Sequence, residues 1–254
     1  GQSSSEPSNH TATEISCNVD NNKDNKPTVK IHNELYNPAE FVTDYDNAKF
    51  FVINPYYDDD VHKSIKYGVW TCSKKGKEKL DAAYREAQEM QATCPVFLLF
   101  WVARRDRFYG VAEMVGPVDF NSNVDYRWLN KWSGHLPVKW HIIKDIPDHL
   151  LCHIILENND NKPVIHSGDT QEVKLEQGIE ILRIMKGYNS TTSILDDFDF
   201  YEEKENTVEE IKEMKEIKHK KERCLKVGEG GSKDENVVPQ DEISNNLAQT
   251  VQFD

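Results

Sequence analysis

Residues 95–115 read PVFLLFWVARRDRFYGVAEMV, and this stretch decides the fold. Pro95 to Ala103 is apolar throughout. It is far shorter than the ~20 residues of a membrane span and suits a strand buried on both faces. Phe108 to Val115 is a second apolar run. Between them stand Arg104, Arg105, Asp106 and Arg107, a short polar turn, so the two runs form a β-hairpin.

Working outward, Phe50-Phe51-Val52-Ile53 is another short strand, closed by Asn54-Pro55. Asp58, Asp59 and Asp60 follow, placed where a helix start favours carboxylates. Val61, Ile65 and Val69 recur at i, i+4 and i+8, one helical face that ends near Trp70. A second helix is expected from about Lys77 to Met90, with Leu80, Tyr84 and Ala87 on one side. Downstream, Gly116 to Pro137 has no period and reads as a long loop, a length that usually carries function. Val138–Ile146 and Leu150–Leu156 read as strands around Pro147-Asp148. Leu175, Ile179, Leu182 and Met185 mark a third helix.

The 254 residues carry 31 Lys+Arg and 44 Asp+Glu, a formal charge of −13. That total speaks against the basic face of a nucleic-acid binder, but it is unevenly spread. Residues 1–48 hold 3 basic and 8 acidic groups, residues 49–188 hold 19 of each, and residues 189–254 hold 9 and 17. The middle is neutral and the flanks are acidic. With a mean hydropathy of −0.72, this describes one folded domain between two solvated segments. Residues 1–40 are expected to be disordered. Residues 202–254 are expected to be a charged acidic tail, helical at about 207–225 and disordered after that. The chain begins at Gly1 without Met, as a fragment or processed form would.

Five cysteines (Cys17, Cys72, Cys94, Cys152, Cys224) lie far apart and form no CxxC pair. They fit reduced thiols better than a disulfide framework or a zinc knuckle; Cys94 and Cys152 read as core thiols. No run of metal-ligand spacing, phosphate-binding loop or activated nucleophile is present. A non-enzymatic protein without metal or cofactor is expected.

Tryptophan is the unusual feature. Trp101 and Trp140 fall in strand patterns and read as core. Trp128 and Trp132 sit in the long polar loop, where two large aromatics must either dock or shape a pocket.

From Lys49 to Tyr201 the sequence resembles the YTH domain, a reader module for N6-methyladenosine in RNA, and most of all its plant cytoplasmic branch. The matching runs include KFFVINPYYDDDVHKSIKYGVW (49–70), KLDAAY (79–84), GVAEMVGPVDF (110–120), KWSG (131–134), VKWHIIKDIP (138–147), HIILENNDNKPV (153–164), DTQEV (169–173) and TSILDDFDFYE (192–202). The resemblance implies an α/β (α+β) domain over residues 41–201 with a curved, barrel-like sheet packed by three or more helices. It implies a cage for the methylated base, with Trp70 and Trp132 as two walls. Tyr56 and Asp60 would contact the base and its edge, and the Thr71 carbonyl would accept the remaining N6–H. Asp169 would support the pocket, and Lys79 would face RNA phosphate. The partner implied is N6-methyladenosine-containing single-stranded mRNA, met in the cytoplasm, with regulation of that mRNA as the outcome. The acidic flanks would be left for protein partners, with no membrane involved.

Such a cage selects by apolar contact. Stacking on a Trp contributes ~1–3 kcal/mol per base, and burying one methyl ~0.8 kcal/mol. Unmethylated adenine would press a second N–H donor against apolar rings, costing ~1–3 kcal/mol.

The sequence also departs from the family pattern. The third wall falls at Arg127 in an ungapped match, with Trp128 one place late. The family's Ser-Val-Asn is Trp101-Val102-Ala103, the basic residue before Tyr56 is Asn54, and Asn-Ser-Arg-Asp is His166-Ser167-Gly168-Asp169. Two missing cations weaken phosphate binding. Arg104, Arg105 and Arg107 add charge to the hairpin turn, where solvation is the simpler reading. The alternative function is a degenerate pseudo-reader, its pocket decayed, serving protein interaction.

Overall fold

A computed structural model describes residues 35–122 and 133–228. The hairpin is its centre. Strands β1 (Lys49–Ile53), β2 (Val69–Trp70), β3 (Val96–Val102), β4 (Arg107–Met114), β5 (Leu136–Pro147) and β8 (Gln171–Val173) form one sheet in the order β2-β5-β4-β3-β1-β8. Two short strands, β6 (Ile155–Leu156) and β7 (Lys162–Pro163), make a separate ribbon. Among the described strands only β1 and β3 run parallel, with Ile53 opposite Phe100. Register shifts at Phe100/Trp101 and Phe108/Gly110 bend the strands, and the sheet curls into a half-barrel. Gly110 makes one bend possible: with φ +146°, a Cβ there would lie 1.8 Å from the Ile142 carbonyl oxygen.

Both faces of the sheet are covered, which explains the unbroken apolar run of β3, where every residue is buried. On one face Phe51, Ile53, Leu98 and Phe100 meet Val61 and Ile65 of α1 (Asp58–Tyr67) and Leu80, Ala83 and Ala87 of α2 (Lys74–Glu89). On the other, Phe50, Val52, Phe97 and Leu99 meet Ile181, Leu182 and Met185 of α3 (Leu175–Gly187). Trp101 and Trp140 are core, as expected, and each indole N–H has a partner, Asp148 and Ser64 respectively.

Three local expectations need correction. Trp70 does not end a helix: Gly68 adopts φ +66° and its N–H bonds the Ser64 carbonyl, stopping α1 at Tyr67. Trp70 therefore enters β2, opposite Leu136. Residues 150–156 are not one strand. A 3-10 turn (Asp148–Leu151) follows Pro147, and only Ile155 and Leu156 pair. Cys152 consequently lies exposed in that turn and is no core thiol. The last helix, α4 (Phe198–Gly228), starts ahead of the expected 207, because Tyr201 and Val208 bury against the domain. No described helix is long and apolar enough to cross a membrane.

Candidate nucleic-acid interface

Asp169 and Lys79 meet near the end of β1. The Asn54 N–H donates to Asp169 Oδ1 at 2.9 Å, tying the β1 exit to the 168–170 turn. Lys79 Nζ donates to the Thr170 carbonyl at 2.8 Å, so this ammonium is engaged with the turn's backbone. Crowding against that backbone removes water from the Asp169 carboxyl and raises its pKa; the N–H bonds from Asn54 and Thr170 and the Lys79 charge act in the opposite sense.

The first turn of α2 is the hub. Ser73 caps it, its hydroxyl accepting from the Gly76 N–H at 3.1 Å. A Cβ on Gly76 would stand 2.9 Å from Cys72 Sγ and 3.0 Å from Thr170 Cγ2, so glycine lets α2 press on both segments. The next residue, Lys77, is only 2 % exposed. Its ammonium donates to the Cys72 carbonyl at 3.0 Å and to the Ser133 carbonyl. Burial lowers its pKa, and burial also pushes the neighbouring Cys72 thiol up to about 12. Beside it, the buried Thr71 hydroxyl donates to the Gly134 carbonyl at 2.7 Å. Lys77 and Thr71 thus fasten Thr71–Cys72 to Ser133–Gly134, directly beyond the β2–β5 pairing of Trp70 with Leu136.

Trp70 is 4 % exposed, its ring edge-on to Phe100 at 5.0 Å, so its position is set by the core. Asp60 is buried in the first turn of α1. Tyr56, 69 % exposed, rests its ring against Tyr57 at 4.7 Å. Trp132, Trp128 and Arg127 lie outside the described residues. Arg105 donates to the buried Asp58 at 2.8 Å, Arg104 stands 3.9 Å from the same carboxylate, and Arg107 is 3.5 Å from Asp145.

The chain matches the YT521-B-like (YTH) domain over residues 48–186. It belongs to the YTH family. It is 57 % identical over 175 residues to the Arabidopsis thaliana YTH domain-containing protein ECT2, covering 69 % of this chain and 26 % of that protein. It is 44 % identical over 191 residues to the mouse YTH domain-containing family protein 1, covering 72 % and 34 %. The plant resemblance is the stronger of these, and the chain spans about a quarter to a third of either relative. Its fold is similar to the YTH domain of Zygosaccharomyces rouxii MRB1 protein, solved in complex with N6-methyladenosine RNA. There the TM-score is 0.54 and identity 29 %, over 60 % of this chain and 96 % of that one.

Set on this YTH fold, Lys77 is the link between the Cys72 and Ser133 segments that sequence reasoning missed. One lysine among Lys74, Lys75, Lys77 and Lys79 carries no mark of burial. Its only signal is position, at helix spacing from Leu80 and on that residue's face. A second cluster lies elsewhere, where α1 meets α4. His62, Glu202 and Glu205 bring ligand atoms within 4.8 Å of one another, and Lys66 sits 2.7 Å from Glu202 as the positive charge there.

Proposed function

We propose that this domain reads N6-methyladenosine in single-stranded mRNA without catalysis, through a cage whose walls are Trp70 and Trp132. The third side is Trp128 or the Arg127 guanidinium. Tyr56 and Asp60 contact the base, the Thr71 carbonyl takes the N6–H, and Asp169 supports the rim. Binding in the cytoplasm leads to regulation of the bound mRNA, and the acidic flanks serve protein partners.

One observation carries this reading. Trp132 immediately precedes Ser133, and Ser133 is joined through the Lys77 ammonium to Cys72, two residues after Trp70. The chain segments bearing both walls are therefore held together independently of any ligand. Preorganisation of this kind reduces the ordering cost of binding. Phosphate contacts are few: Lys79 bonds a carbonyl, and positions 54 and 168 lack cations.

The test is titration of a methylated oligonucleotide into the protein and its Trp132→Ala variant. Stacking of ~1–3 kcal/mol predicts a loss of about tenfold to hundredfold. Unchanged affinity would remove Trp132 from the cage, and equal binding of both RNAs by the unaltered protein would favour the pseudo-reader.

A further inference from the structure

Helix α4 changes character along its length. From Phe198 to Glu213 it carries two lysines and seven acidic residues; from 215 to 226 it carries Lys215, Lys218, Lys220, Lys221, Arg223 and Lys226 against Glu216 and Glu222, net +4. The acidic half is docked. Tyr201, Glu205 and Val208 are buried, Lys204 pairs with Asp59 at 2.9 Å, and the Tyr67 hydroxyl donates to Glu205 at 2.7 Å. Beyond Val208 α4 has no buried residue. Every residue from Glu216 to Gly228 is exposed, a stretch of 13 that at 1.5 Å each extends about 20 Å.

Lys218, Lys220, Lys221 and Arg223 are all exposed on this stretch. Glu222 stands 3.9 Å from His219 Nδ1. The negative end of the helix dipole accounts for cations in the last turn only. It does not account for Lys215 to Lys221. Nor does an anionic membrane fit well, because the exposed apolar residues here are Met214, Ile217, Leu225 and Val227, with no aromatic anchor among them.

We propose that residues 215–226 of α4 form a second RNA-binding element, gripping backbone phosphates of the strand whose methylated base occupies the pocket. This rests on the reader function proposed above. Charge complementarity carries it: residues 49–188 are neutral overall, and Lys77, Lys79 and Arg105 already donate to carbonyls or to a carboxylate. The strand's charge is met on the helix instead. The contact is independent of sequence and of methylation.

The test uses the full chain and a quadruple variant, Lys218→Gln/Lys220→Gln/Lys221→Gln/Arg223→Gln, whose helix content is checked by circular dichroism. Each protein is titrated, across a salt series, with a short methylated RNA that fills only the pocket, a several-fold longer one, and the long unmethylated RNA. Removing one cation from a phosphate should flatten the log–log salt dependence by about 0.7. The variant is expected to bind the long RNA at least tenfold more weakly at low salt, with a slope flatter by about 2, while short-RNA affinity and the preference for methyl stay unchanged. An identical slope for both proteins overturns the proposal, as does an equal loss on short RNA. If vesicles of phosphatidylserine and phosphatidylcholine retain the protein but not the variant while RNA slopes agree, the helix is a lipid contact instead. If the unaltered protein ignores the methyl, the pocket reading fails. The helix is then still judged by its long-against-short difference on unmethylated RNA.

Discussion

The lysines around the pocket and the lysines at the far end of α4 look alike in the sequence and do opposite work. Near the pocket, the buried Lys77 and the exposed Lys79 donate to the carbonyls of Cys72, Ser133 and Thr170. Lys66 and Lys204 pair with Glu202 and Asp59. From Lys218 onward the cations of α4 are exposed. A buried ammonium makes geometry; an exposed one makes a field. Charge counting does not distinguish the two, and so a neutral domain can hold a well-formed pocket while its phosphate contacts are sparse.

The largest break in this contrast is at the pocket. Trp70→Ala removes both the proposed wall and a core ring packed on Phe100. It should cost ~3–5 kcal/mol of stability, read by denaturant melts, with methyl-dependent binding abolished alongside. Lys77→Met comes next. It strands the carbonyls of Cys72 and Ser133, at ~1–3 kcal/mol, and should lower Tm by several degrees and weaken methylated RNA more than unmethylated. The same change at Lys79 should leave the salt slope untouched, since that ammonium bonds Thr170; a flatter slope would show it meeting phosphate.

Acid separates the docked half of α4 from the rest. Burial raises Glu202, but hydrogen bonds from His62 and Lys66 and the Lys66 charge outweigh it, holding the carboxyl below its ordinary range. Its contribution is therefore complete above the unfolded value near 4.5 and is lost as pH falls through the lower folded value. Melting of the protein and of Glu202→Gln across that window should converge at the acid end. Parallel curves would place the linkage elsewhere. The smallest effect is a gain: Asn54→Lys/Gly168→Arg should tighten RNA modestly and steepen the salt slope by about 1.4. Asn54 bonds Asp169 through its backbone, and a Cβ at Gly168 meets nothing within 4 Å, so the fold accepts both.

Much of the architecture was legible. The hairpin at 95–115 and the apolar periods before and after it place the central strands and three helices, because burial on a face imposes a period. The family motifs supplied the sheet's curvature. What escaped depended on contacts distant in sequence. Gly68 stopping α1 before Trp70 is a backbone choice that an apolar i, i+4, i+8 series overrides on paper. Lys77 finding Ser133 spans the whole of β3 and β4. The net charge of residues 189–254 hid a basic block behind acidic neighbours, since a sum has no position.

The central claim is that a cage fastened from Cys72 to Ser133 selects the methylated base by contact and by rejecting a second N–H. Calorimetric titration with one short RNA, with and without the N6-methyl, at two salt concentrations tests it most directly. The two contributions, ~0.8 kcal/mol for the methyl and ~1–3 kcal/mol for the rejected donor, predict a preference of order tens- to hundreds-fold, little altered by salt. Equal affinities for the two RNAs, or a preference that vanishes as salt rises, would contradict it.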